Sequence, residues 1–167
     1  ARFIMNLIGG SGKPKKGQKV EYQYATAIPI GTAIAQSFNL PLAESYGSIV
    51  GDEMERFGVH LWLAPALNIH RDIRCGRNFE YYSEDPLISG KTAAAITRGV
   101  QRHPGCGTTI KHYAANNQEK NRYCNNSIVS ERAMREIYLK GFGICVRESQ
   151  PHALMTSYNL LNGVHTS

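Results

Sequence analysis

The 167-residue sequence predicts an α/β fold in which parallel strands are joined by crossover helices. Three observations carry this. Helical and apolar strand-like segments alternate three times along the chain. The turns from helix to strand are short ("GVH", "HPGCG", "SQPH"). The loops from strand to helix are long and polar, and parallel α/β units place ligand chemistry at that carboxyl end of their strands.

The first helix is predicted over 41–57, with Asn39 as its N-cap and Gly58 at the position a C-terminal glycine favours. The second spans 86–102, where Asp85 caps and Pro86 takes the first helical position. The third is predicted as one helix over 131–148, capped by Ser130. Its stripe is Met134, Ile137, Tyr138, Phe142 and Cys145. Each helix leads into a strand candidate: 59–65 ("VHLWLAP"), 106–112 ("CGTTIKH") and 152–158 ("HALMTSY"). Polar runs follow the strands, above all "ALNIHRDIRCGRNFEYYSED" and "HYAANNQEKNRYCNN".

Composition narrows the function classes. Hydrophobic residues make up 42% and charged residues 19%, as in ordinary globular domains. No apolar run approaches the roughly 20 residues of a membrane span. "ARFIMNLIGG" is too short and broken for a secretory signal, which says little about the parent protein; the compartment is left open, with a lean to cytoplasmic. The first residue is Ala, which suggests a processed or truncated chain. The net charge is +6, but much of the excess sits in "GKPKKGQK" (12–19), a solvated loop flanked by Gly and Pro. The other basic residues form no stripe with interleaved aromatics, which argues against a nucleic-acid partner. Cys75, Cys106, Cys124 and Cys145 form no CxxC pair, so neither a structural zinc site nor a thioredoxin-type motif is expected, and reduced thiols are the default.

"GGSGK" (9–13) resembles the end of a phosphate-binding loop, but Leu7 stands where a glycine is needed and Pro14 where Ser or Thr is needed. Lys111 and His112 close the second strand side by side. Strand neighbours point to opposite faces, so this is either a core histidine beside a solvent lysine, or a break in the strand that turns both into one pocket. A bulge or a cis peptide would make that break. Arg77 and Glu80 read either as a loop ion pair of little worth or as part of the same rim. Donors such as Arg77, Lys111 and His112 suit a carboxylate or sugar hydroxyls.

"LAPALNIHRDIRCGRNFEYYSEDP", "TIKHYAANN" and "MTSYNLLNG" resemble, in that order, the barrel domain of glycoside hydrolase family 3, which includes β-glucosidases and β-xylosidases. "TAIPIGTAIAQSFN" is similar to the segment before the first helix there. The resemblance covers 26–167, with 1–25 left as a loop-rich basic segment. "IRCGRN" departs from the family's usual Pro and Trp around that arginine. The resemblance implies a partial (β/α)8 TIM-type barrel, truncated before the strand that carries the aspartate nucleophile. It implies that Arg77, Lys111 and His112 hold hydroxyls of the cleaved sugar, that Met155 and Tyr158 line the same subsite, and that Glu80 braces the cations. No catalytic residue is then expected within the chain, because the acid/base also lies beyond it. Asp85 becomes a helix cap and Glu84 a surface group.

The implied activity is that of a retaining exo-β-glycosidase, β-glucosidase before β-xylosidase, acting on a carbohydrate substrate without metal or organic cofactor. The β-N-acetylglucosaminidase branch uses "KHFPGHG", where this sequence has "KHYAANNQ". The first rival is a sugar-binding module without catalysis. A doubly wound nucleotide binder would need a Gly-rich strand–helix turn, which none of the three strands has. The partial barrel leaves unpaired outer edges through which copies could self-associate.

Overall fold

The computed structural model describes residues 24–166. The basic loop at 12–19 and the "GGSGK" run lie outside them, as does most of the 1–25 segment.

Among the described residues the predicted alternation is present. Three strands, β1 (Leu61–Trp62), β2 (Gly107–Tyr113) and β4 (Ala153–Thr156), form a parallel sheet in the order β1-β2-β4. Pairing beside β1 runs further than its two residues. Gly107 N–H donates to the His60 carbonyl, Lys111 N–H to Pro65, and Leu67 N–H back to Lys111. Sequential neighbours pairing in parallel is the topology of consecutive barrel units.

The helices follow their sequence signals. In α2 (Leu40–Phe57) the Asn39 side chain accepts from Leu42 N–H, and Gly58 closes the helix at φ 65°. In α3 (Pro86–Gln101) Asp85 accepts from the amides of Leu87 and Ile88. A short α1 (Gly31–Gln36) precedes them, where the sequence reading placed no helix. No side chain caps its start, so no composition signal marks it.

The third helix departs from its predicted form. It begins as α4 (Glu131–Ala133), widens into a π-turn over Met134–Tyr138, and resumes as α5 (Lys140–Ser149). Leu139 N–H reaches back five residues to the Met134 carbonyl. The extra residue rotates the apolar stripe. Phe142 and Cys145 are buried as expected, while Ile137 is exposed.

α3 sits between α2 and α5, and small residues allow both approaches. A Cβ on Gly47 would overlap the Ile96 carbonyl, and one on Gly99 would overlap that of Glu44. On the other flank, Gly90 meets the Gly141 carbonyl. The main core combines Ala93, Ala94, Ala95 and Ile96 of α3 with Leu67, Ile110, Tyr82 and Phe142.

A second, smaller sheet joins β3 (Asn126–Ser127), β5 (Leu160–Leu161) and β6 (Val164–His165). The β5–β6 hairpin turns on Asn162 (φ 50°) and Gly163 (φ 86°), the left-handed pair that two-residue hairpins favour. This sheet was not predicted. It ties the loop after β2 to the chain after β4.

Candidate functional site

The long loops do gather at the carboxyl ends of the parallel strands. In the loop after β1, residues Asn78–Glu80 form one 3-10 turn. That turn brings Glu80 back onto Arg77. One Glu80 oxygen accepts from Arg77 Nε, and the other lies 3.0 Å from Lys111 Nζ at the end of β2. Lys111 is therefore not a solvent lysine: its side chain is only 13% exposed. Burial pushes the Glu80 carboxyl up, but hydrogen bonds from Arg77 and Lys111 outweigh it and hold its pKa below the usual range. Burial works against the Arg77 charge as well, and Glu80 overcomes it, so Arg77 stays firmly protonated.

At Lys111–His112 the regular strand is interrupted. The peptide is cis, and the register with β4 shifts between Lys111 and Tyr113. His112 is 6% exposed. Asn68, from the loop after β1, grips it at three points. The Asn68 amide donates to the His112 carbonyl at 2.9 Å, and its Oδ1 accepts from His112 N–H and faces ring Nδ1, each at 3.0 Å. Turning the amide over would set donor against donor, so this orientation is fixed. Oδ1 can only accept, so Nδ1 carries the hydrogen and Nε2 is left as an acceptor. Burial, followed by the charges of Arg77 and Lys111, holds the His112 pKa at about 4. The ring is neutral at physiological pH.

The cluster extends through residues that the sequence reading did not single out. Glu119 accepts from Asn116 at 3.0 Å and from Arg122 at 3.1 Å, and lies 4.0 Å from Arg77. The Arg122 guanidinium sits 5.2 Å from the ring centres of both Tyr123 and Tyr158. Tyr158 thus joins the far end of one continuous network. Met155 pairs with Lys111 across β2 and β4. Glu84 is exposed and Asp85 caps α3. The sequence did flag "NNQEKNR" as a polar rim. It held no signal that Asn68, 44 residues before His112, would be its partner.

Chemically, the arrangement offers three cations (Arg77, Lys111 and Arg122), two carboxylates engaged by them (Glu80 and Glu119) and one imidazole acceptor within a single cluster. Hydroxyl groups need both donors and acceptors, and both are present. Glu80 is ionised and bound on both oxygens, so it is not poised as a proton donor. Among the described residues no group of His, Cys, Asp and Glu is placed to hold a metal ion, and no helix is long and apolar enough to cross a membrane. The four cysteines are all unpaired thiols.

The chain matches the family model "Glycosyl hydrolase family 3 N terminal domain" over residues 13–167. It is 48% identical over 142 residues to beta-glucosidase A of Butyrivibrio fibrisolvens, a match covering 85% of this chain and 17% of that protein. It is 48% identical over 143 residues to a beta-glucosidase of Ruminococcus albus, covering 86% and 15%. Among solved structures, beta-glucosidase 3B from Thermotoga neapolitana in complex with glucose superposes with a TM-score of 0.87 at 49% identity, covering 92% of this chain and 21% of that one. DesR, a beta-glucosidase from Streptomyces venezuelae in complex with D-glucose, gives 0.81 at 41%, covering 84% and 18%. The chain therefore spans less than a quarter of the length of each.

Proposed function

The chain belongs to glycosyl hydrolase family 3, and we propose that it forms part of the sugar-binding wall of a retaining, exo-acting β-glucosidase. The observation that carries this reading is the Glu80 clamp, which sets Arg77 and Lys111 side by side beside a neutral His112. Arg77 and Lys111 donate to hydroxyls of the terminal glucose, and His112 Nε2 accepts from one. The spread of donors and acceptors fixes the ring's orientation, and positioning of this kind lowers the barrier by restricting the bound geometry. Met155 and Tyr158 wall the same subsite, and Arg122 extends its cationic side.

Hydrolysis with retention needs a carboxylate nucleophile and a separate acid about 5–5.5 Å away. Glu80 and Glu119 are both committed to cations or amides. We assign the catalytic pair to parts of the protein outside this chain, with 26–167 as the barrel portion and 1–25 as a basic segment before it. The edges at β1 and β4, with Leu61, Leu63 and Leu154 exposed, are then surfaces that further strands would cover. In the isolated chain they favour self-association.

The test is hydrolysis of aryl β-glucosides by the complete protein, with the anomer of the released glucose followed by NMR. β-Glucose as the first product supports the reading. Release of α-glucose refutes retention, and no turnover of any β-glucoside refutes the activity. Arg77→Ala should lower kcat/KM by about a hundredfold or more, the order seen when a transition-state donor is removed.

A further inference from the structure

The rim carries a feature that sugar binding by Arg77, Lys111 and His112 does not explain. Tyr123 is 61% exposed and Tyr158 56% exposed, with ring centroids 4.7 Å apart and planes tilted by 44°. Tyr158 already walls the proposed sugar subsite, and the exposed Tyr123 ring beside it is left without a role at the edge of the charged cluster. Both rings are held firmly. The Arg122 guanidinium lies over both rings, donates to Tyr123 Oη at 3.3 Å, and is anchored by Glu119 at 3.1 Å. An exposed ring beside a charged pocket is a surface that a bound ligand can cover.

We propose that Tyr123 is a specificity-determining residue that stacks against the leaving group of the substrate, favouring glucosides whose aglycone is itself a ring. This rests on the glucosidase reading. The Tyr123–Arg122–Glu119–Arg77 chain of contacts makes the shelf continuous with the proposed sugar pocket. A ring leaving the pocket on this side meets Tyr123. A second pyranose presents a flat apolar face of C–H groups, and an aryl group presents a π-face. Both match an exposed tyrosine ring in size and polarity. A methyl group offers nothing to stack.

The experiment compares cellobiose, an aryl β-glucoside and methyl β-glucoside as substrates of the complete protein, with Tyr123→Ala and Tyr123→Phe as variants. Tyr123→Ala should raise KM about three- to tenfold for the two ring-bearing substrates. It should leave methyl β-glucoside within about twofold, and Tyr123→Phe should behave as the parent. The residue is exposed, so unchanged melting of both variants is expected and checks their folding. An equal effect of Tyr123→Ala on all three substrates, or none on any, overturns the assignment. If the unaltered protein cleaves none of the three, the glucosidase reading has failed and this assignment falls with it.

Discussion

Replacing Glu80 by Gln keeps the side chain's shape and removes the charge that Arg77 and Lys111 share. The Lys111 ammonium lies 3.0 Å from one carboxylate oxygen. At an effective dielectric near 20, that contact alone is worth about 5 kcal/mol before desolvation is counted. Withdrawing the carboxylate from water costs much of this back. The variant, however, loses the attraction while the two cations stay where they are, and its NH2 must face one of them. Breaking a buried pair from one side costs about 3–5 kcal/mol. Side-chain exposures of 13–23% in the trio place this case lower, at about 2–3 kcal/mol. Urea unfolding of the chain at pH 7, followed by circular dichroism and by the fluorescence of Trp62, the one tryptophan, measures it. The pH dependence sharpens the test. The Glu80 carboxyl is depressed in the fold, so its stabilisation is complete above the unfolded value near 4.5 and is lost as pH falls through the folded one. The gap between parent and variant should therefore narrow toward pH 3. A Glu80→Gln chain within about 0.5 kcal/mol of the parent at pH 7, or a gap that ignores pH, would refute the clamp as described.

His112 sets a second acid effect. Its folded pKa of about 4 lies below the ordinary 6.5, so the unfolded chain binds the extra proton between them. Stability is full above pH 6.5 and declines toward pH 4 by up to about 3 kcal/mol. Urea midpoints between pH 7 and 5, above the Glu80 window, should show the slope, and a His112→Gln variant should flatten it. Gly99→Ala should cost about 2 kcal/mol or more, because its new methyl would meet the Glu44 backbone and must push α2 from α3. Gly143→Ala meets only the flexible end of Arg147, and should be neutral or stabilise by up to about 1 kcal/mol; thermal melts compare the two. The purified chain should show no turnover of aryl β-glucosides or β-xylosides. Turnover abolished by Glu80→Ala, Glu84→Ala or Asp85→Ala would put the catalytic carboxylates inside it. Gel filtration should find the chain larger than a monomer, and a clean monomer would count against association through its edges.

Legibility in the sequence followed how local the cause was. The starts of α2 and α3 were readable because Asn39 and Asp85 cap neighbouring amides within three residues. The parallel order followed from alternation and loop lengths. The π-turn was not readable, since one inserted residue leaves the helical period nearly intact over eighteen positions. The β5–β6 hairpin did carry its signal in Asn162-Gly163, but its strands are two residues long and look like loop. Arg77, Lys111 and His112 stood out through motif resemblance, and Glu80 as a brace. Asn68, Glu119 and Arg122 did not: Asn68 meets His112 across 44 positions, and Glu119 and Arg122, paired within their own loop, join the cluster only through Arg77 and Tyr158 of other strand units. The choice between a solvent and a pocket lysine at position 111 also rested on such a contact, the one with Glu80.

The origin of the clustered side chains bears on how this protein can be re-engineered. Arg77 and Glu80 come from the loop after β1, Lys111, Glu119 and Arg122 from β2 and its loop, and Tyr158 from the chain beyond β4. The groups that would greet a sugar are therefore also the ties between neighbouring staves. Transplanting residues 63–85 alone from a relative would import a guanidinium and a carboxylate whose counterparts stayed behind. Segments 63–85 and 111–123 hold most of these ties, and chimaeras that move them as a pair, with Tyr158 kept, should retain the folding that single-loop grafts lose.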